Sequence, residues 1–341
     1  MKNKLFIVLS LIVFFSCSRI QTLNMREHSY SKKPQKIIWL QVAGFSDELL
    51  PLLKFNNLSA DISLFADRAD CVGKMWNFNL FNLRPKANVS FLSQMYGLKN
   101  VSNECETLSK DSILSAYLQE GYQASVFESS VSEIDSLERV LSCKNLENVK
   151  IFKMSQAQKA AQFFHYQEMN EEKLRSLPSG VYYDKACQKG TCYSSLISNL
   201  KAILANQIKD SAKNLIIVRD FSLLNAIKNK DVNLLKESMG ELGQITKWFE
   251  LNVGSNALIL ITGAESTMLD YPAEGAEWEE YLKANKNIFF RTNSLMSTAI
   301  SKGAMAENFC GLFDEAEIFN RLNFEPPRKK FDWDNLNPLQ N

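Results

Sequence analysis

The sequence predicts an α/β sandwich built on a mostly parallel central sheet, and three observations carry that prediction. Apolar runs of strand length recur at wide spacing: Lys36 to Val42 (KIIWLQV), Asn214 to Val218 (NLIIV) and Ala257 to Thr262 (ALILIT). Amphipathic segments of helical period stand between such runs, the alternation expected of parallel strands joined by crossover helices. The 341-residue chain is 45% hydrophobic and 23% charged, the balance of a well-packed globular protein.

The chain opens with a segment that does not belong to the fold. Lys2 and Lys4 form a positive start, Leu5 to Phe15 is an apolar run, and Ser16-Cys17 follows. Such a run is too short to cross about 30 Å of hydrocarbon, so residues 1–16 read as a cleaved signal peptide. Ser16-Cys17 resembles a lipobox, with Phe14 and Phe15 bulkier than the residues usual upstream of the cut. The resemblance implies lipidation at Cys17 and several acyl chains, more than the two signals stable anchoring needs. Ser18 fits outer-membrane sorting by analogy with bacteria that use aspartate there as an inner-membrane signal. An ordinary signal peptide with an incidental cysteine is the alternative. Residues 17–35 are polar and suit a tether. No second apolar stretch in the chain is long enough to span a bilayer.

The α/β domain is expected over residues 36–324, followed by a polar tail at 325–341. Lys36 to Val42 reads as a strand covered on both faces, with Ala43-Gly44 as the turn after it. Ala87 to Tyr96 reads as a helix with Pro85 near its first turn and Gly97 as its stop. Leu108 to Glu120 is a second helix, ended by Gly121 and followed by the strand Tyr122 to Phe127. Tyr193 to Lys209 is a third helix, leading into Asn214 to Val218. Leu235, Met239, Leu242, Ile245 and Phe249 mark a fourth, leading into Ala257 to Thr262. Ile288 to Arg291 reads as a further strand and Asp314 to Leu322 as a closing helix.

Charge and cysteines narrow the function classes. Lys+Arg 39 against Asp+Glu 38 gives a net charge of +1, without the concentrated basic surface that nucleic acid requires. Seven cysteines become six once Cys17 is lipidated, an even number in an oxidising compartment. Cys187 and Cys192 close a short polar loop containing Gly190 and read as one disulfide. A metal site there would need further Cys or His at ligand spacing, and none is near. Pairing among Cys71, Cys105, Cys143 and Cys310 stays open; Cys105 with Cys143 would staple one strand-helix-strand unit, and buried free thiols are the alternative.

In open α/β sheets ligands bind beyond the carboxyl ends of the strands. Those positions here are Ala43-Gly44, Arg219-Asp220 and Gly263-Ala264-Glu265. The order of elements and several strings resemble the alkaline phosphatase superfamily, which includes sulfatases, nucleotide pyrophosphatases and phosphoglycerol transferases. Ala43-Gly44 follows the first strand where the family has Asp-Gly. Ser90-Phe-Leu-Ser-Gln-Met-Tyr-Gly97 is similar to the family's Ser-Leu-Leu-Thr-Gly-Leu-Tyr-Pro, the helix after its nucleophile. Asp111 to Phe127 resembles the family's helix, Gly-Tyr turn and strand. Lys201 to Asp220 and Leu235 to Glu265 resemble its late core, which ends in Thr-x-Asp-His-Gly. The resemblance covers most of residues 36–322 without an intact signature motif, and it implies a three-layer sandwich.

Such an enzyme holds two zinc-like ions in clustered Asp and His, with a hydroxyl or modified Cys between them as nucleophile. This chain departs from that set residue by residue. Ala43 takes the place of the first metal-binding aspartate. The nucleophile position falls at Leu83 or Arg84, and neither is a hydroxyl or thiol. Ala264 and Glu265 stand where the family has Asp-His. Asp220 matches a metal aspartate, but the histidine four positions on is Leu224. The whole chain has two histidines, His28 in the tether and His165, too few for the imidazole count of a dinuclear site.

The remaining polar residues have ordinary uses as well. Asp220 and Glu265 suit either a two-carboxylate cation site or, more commonly, capping of loops and helix starts. Arg84 and Lys86 suit an anion site or a solvated surface. Trp76 to Phe81 suits a contact surface or core packing. The chain also lacks a Gly-x-Ser-x-Gly elbow, a His-Glu-x-x-His motif and a phosphate-cradling Gly-rich loop. The expected function is therefore a catalytically inactive envelope lipoprotein facing the periplasm, with no metal, no cofactor, a protein partner and no nucleic acid. The competing class is a metal-dependent ester hydrolase or transferase with a site rebuilt from residues such as Asp220 and Glu265.

Overall fold

The computed structural model describes residues 33–51, 65–80, 82–101, 111–139, 149–155, 162–164, 177–187, 195–205, 207–209, 212–272, 274–284, 288–291 and 294–323. Among them, ten strands form one sheet in the order β12-β2-β11-β8-β1-β7-β3-β4-β6-β5. These are β1 (Lys36–Ala43), β2 (Cys71–Trp76), β3 (Gln123–Ser129), β4 (Val149–Met154), β5 (Gln162–Phe164), β6 (Gly180–Asp184), β7 (Asn214–Asp220), β8 (Ala257–Ala264), β11 (Met296–Gly303) and β12 (Gly311–Asp314). Only β11 runs against its neighbours, β2 and β8; every other adjacent pair is parallel.

The apolar runs become central strands because both faces are covered. In β1, Ile38, Leu40 and Val42 enter one core and Ile37 and Trp39 the other. The first core is closed by α3 (Leu196–Leu204), α4 (Ser222–Lys228) and α5 (Val232–Asn252). The second is closed by α1 (Ala87–Tyr96), α2 (Ile113–Gln119) and α7 (Glu317–Asn323). The result is the three-layer sandwich expected. Side chains start three of these helices, each accepting from a first-turn amide: Ser112 from Ser115, Ser195 from Ser198 and Asp231 from Leu234. Gly97, left-handed at φ 66°, stops α1, the usual role of glycine at a helix end.

Several expected elements move. The helix expected at 314–322 gives up its start to β12, and α7 follows at Glu317–Asn323. The strand expected at 288–291 leaves the main sheet: β10 (Phe289–Phe290) pairs only with β9 (Leu269–Asp270). α6 (Gly275–Ala284) lies between them in sequence. Strands β2, β4, β5, β6, β11 and β12 had no sequence expectation. They are short or half-polar, as in Cys71-Val-Gly-Lys-Met-Trp76 with alternate residues exposed, so no continuous apolar run marks them.

Cys71 and Cys310 are bonded across the β2–β12 edge, with Cα atoms 5.2 Å apart at a sequence separation of 239. Cys187 is disulfide-bonded, while Cys192, Cys105 and Cys143 lie outside the described residues. Cys17, the signal segment, most of the tether, both histidines and the 325–341 tail lie outside them as well. Among the described residues, no helix is long and apolar enough to cross a membrane.

Candidate functional site

The carboxyl ends of β1, β7 and β8 converge on an apolar plug. Ala43, Ala87, Phe91, Val131, Phe221, Leu224 and Ala264 pack as one buried cluster, and Ala43 and Ala264, register partners across β1 and β8, are fully buried. Phe91 and Phe221 meet edge to face at 5.9 Å. α4 reaches this point because Gly44 lets it. Gly44 has φ 85°, and a Cβ there would lie 2.9 Å from Ile227 Cδ1 and 3.1 Å from the Leu224 backbone. Gly263 permits a second close approach, since its Cβ would meet the Phe45 carbonyl oxygen at 2.3 Å.

The carboxylates named from sequence are spent on separate local contacts. Asp220 accepts from the Ser222 amide at 3.0 Å and so starts α4. Burial pushes its carboxyl above the usual range, opposed by the Ser222 bonds. Asp220 pairs in register with Val42, so strand alternation turns it toward the α5 layer. Glu265 instead accepts from the Ala87 amide at 2.9 Å and pairs with Lys228 at 3.3 Å. It thereby caps α1, whose N-cap residue Lys86 makes no side-chain cap of its own. No hydrogen bond or ion pair joins Asp220 to Glu265. Leu83 is 71% exposed, and the Arg84 amide donates to Asn82 Oδ1 at 2.9 Å.

This donor set does not fit a dinuclear metal centre. Methyl groups and phenyl rings occupy the convergence point, and they offer no lone pair to a cation. Among the described residues, no group of three or more His, Cys, Asp and Glu could hold an ion.

Beside the plug lies a charged row that sequence reasoning missed. Register places Thr262, Gln41, Arg219, Glu128, Lys153 and Tyr183 side by side across β8, β1, β7, β3, β4 and β6. All but Tyr183 are buried. Arg219 donates to Glu128 Oε1 at 2.8 Å, Asn88 Oδ1 at 2.6 Å and the Asp135 carbonyl at 2.8 Å. Glu128 also accepts from Ser136 Oγ and the Leu137 amide. Lys153 donates to Glu138 at 2.9 Å. Burial pulls the Lys153 ammonium down, and Glu138 with Glu128 more than offsets it, leaving its pKa above the ordinary value. For Arg219 burial wins and the direction is downward. Three strands thus latch the segment from Asp135 to Glu138 over the sheet end. Arg219 also borders the plug, its guanidinium carbon 5.9 Å from the Phe91 ring centre and 5.7 Å from that of Phe221.

No protein-family profile matches the chain, and no curated protein matches it. Solved structures do. An alkaline phosphatase from the Antarctic bacterium TAB5 superposes with a TM-score of 0.64 at 10% identity, over 85% of this chain and 98% of that one. The Thermus thermophilus alkaline phosphatase gives 0.63 at 9% identity, over 89% and 93%. The lipoteichoic acid synthase LtaP from Listeria monocytogenes gives 0.50 at 11% identity, over 86% and 71%.

Proposed function

We propose that this chain, which has the alkaline phosphatase superfamily's fold, is a catalytically inactive member of that architecture that serves as a binding or assembly component at the bacterial cell envelope. The observation that supports the reading most is the apolar plug of Ala43, Ala264, Phe91, Phe221 and Leu224. A metal-nucleophile mechanism needs charge neutralisation and an aligned nucleophile at one point, and losing a single electrostatic partner typically costs about 10² to 10³ in rate. Here the convergence point is hydrocarbon, and the carboxylates of Glu265 and Asp220 bind first-turn amides of α1 and α4. Arg219 does not substitute for a cation there, because Glu128 neutralises it.

Turnover decides between the two function classes. Purified chain given chromogenic phosphate monoester, diester and sulfate substrates with zinc, magnesium, manganese or calcium should release no product above the metal-only blank. Ala43→Asp alone should not create activity. Metal-dependent turnover that disappears in an Asp220→Ala, Glu265→Ala variant would instead establish a rebuilt site. The envelope location rests on Ser16-Cys17. Cys17→Ala should shift the protein from membrane to soluble fraction, and unchanged membrane association would refute the anchor.

A further inference from the structure

The loop that follows the carboxyl end of β2 combines exposed large apolar side chains with cations that form no ion pair among the described residues. Leu80 is 70% exposed, Leu83 71% and Trp76, at the end of β2, 38%. Between Asp70 and Glu104 the sequence has no acidic residue and carries Lys74, Arg84, Lys86 and Lys99. Lys74 pairs with Asp47 and Lys99 with Asp314. Arg84 and Lys86 are exposed and form no ion pair among the described residues.

The loop is held rigid rather than collapsed. Asn79 and Asn82 exchange backbone hydrogen bonds at 3.0 and 3.1 Å. The Leu80 amide donates to the Lys99 carbonyl at 2.8 Å, the Asn77 amide to the Leu295 carbonyl at 2.9 Å, and Asn79 Nδ2 to the Val101 carbonyl at 3.1 Å. These bonds hold the backbone while Leu80 and Leu83 stay in solvent, so burial on a partner would cost little ordering entropy.

We propose that Leu80, Leu83, Arg84 and Lys86 form a membrane-contact surface that lodges on an anionic lipid bilayer, the leucines below the headgroups and the two cations at the phosphates. Charge complementarity selects the anionic surface, since each basic side chain near it favours binding roughly fivefold. The mix of side chains selects a bilayer: Leu80 and Leu83 stand in solvent beside Arg84 and Lys86, and an interfacial layer accepts exposed apolar side chains flanked by cations and an aromatic residue. Trp76 supplies that aromatic residue. Lys33, Pro34 and Gln35 are bound to the domain, and a tether of residues 17–32 would reach roughly 50 Å if extended, beyond the height of β1, so a lipid at Cys17 leaves the loop free to reach the same membrane. The inference rests on the envelope reading above, and its test uses protein without the acyl anchor so that the two fail separately.

The test is sedimentation of the mature chain, residues 17–341 carrying Cys17→Ser, with vesicles of phosphatidylcholine and phosphatidylglycerol, and with phosphatidylcholine alone. Binding is expected to the anionic vesicles and to fall steeply with salt. Arg84→Glu with Lys86→Glu should weaken it roughly 25-fold or more, and Leu80→Ser with Leu83→Ser roughly tenfold or more. Leu234→Ser with Leu251→Ser, exposed leucines on α5, should leave it unchanged. Unaltered circular dichroism and melting would show that each variant is folded. No vesicle binding, or equal binding by all variants, would overturn the proposal, and capture of an acidic protein without vesicle binding would overturn it in favour of a protein partner.

Discussion

The carboxyl end of the sheet has two neighbouring regions with opposite chemistry. Over β1 and β8 it is alanine, leucine and phenylalanine; over β7, β3 and β4, two residues earlier in register, it is Arg219, Glu128 and Lys153. Both are buried and both tie helices or loops to the strand ends. The plug does so with shape alone, whereas the row does so with hydrogen bonds to named partners. A sheet end without metal ligands still needs cross-links, and a compensated ion pair can supply them. A buried ion pair is a poor source of net stability but a strong constraint, because breaking it strands a charge in the interior.

That asymmetry gives the largest expected effect. Arg219→Met leaves Glu128 buried with Ser136 and Leu137 as hydrogen-bond partners and only the coulombic pull of Lys153 beside it, and it should cost about 3–5 kcal/mol in urea unfolding. Adding Glu128→Leu should recover much of the loss. If the double variant is no better than the single, the row is not a compensated unit. The plug should respond oppositely: Ala43→Asp buries a carboxylate with no compensating cation and should destabilise by about 2 kcal/mol or more, with no rescue by added divalent metal. Rescue by zinc would make the plug a latent site.

Glu315, fully buried between β12 and α7, has its carboxyl pushed up to about 8, chiefly by burial, with Ser90 opposing and Asp314 adding. The folded state therefore keeps a proton that the unfolded chain releases near 4.5. Its contribution to stability is complete below about 4.5, falls by up to about 1.4 kcal/mol per pH unit between there and about 8, and is gone above. Glu315→Gln should flatten that slope in melts from acid to mildly alkaline pH, and an unchanged slope would show that Glu315 does not titrate as described. The smallest effect belongs to Glu265→Gln, which keeps an acceptor for the Ala87 amide and loses the Lys228 pairing. Lys228 is 55% exposed, so urea unfolding should register a loss of less than about 1 kcal/mol. A larger loss would mean that Glu265 holds more than a helix start.

The plug was legible in the sequence because a missing ligand is visible once strand ends are aligned: Ala43, Leu224 and Ala264 announce hydrocarbon where lone pairs would be needed. The row was not read, though a signal existed. Gln41, Arg219, Thr262 and Glu128 are each the sixth residue of their strand, counted from Lys36, Asn214, Ala257 and Gln123. Aligning strand starts places them in one line, but Glu128 and Lys153 sit on strands whose polar ends hid the boundaries. The edge strands β2 and β12 escaped for a different reason, since alternate residues face solvent there and Leu312 is 59% exposed. Leu80, within the Trp76 to Phe81 run, suits core packing by sequence, and the bonds of the Asn77 and Leu80 amides to Leu295 and Lys99 hold that run's backbone so that Leu80 stays in solvent.

The strand-end convergence over β1 and β8 is expected to hold no metal pair, which metal stoichiometry can check. Chain purified without chelator, loaded with excess zinc, manganese or calcium and dialysed should retain well under one equivalent of each by elemental analysis. Its melting temperature should not rise with metal, because an ion that binds only the folded state must stabilise it. Two equivalents of retained metal, lost together with the melting shift in an Asp220→Ala, Glu265→Ala variant, would contradict the account.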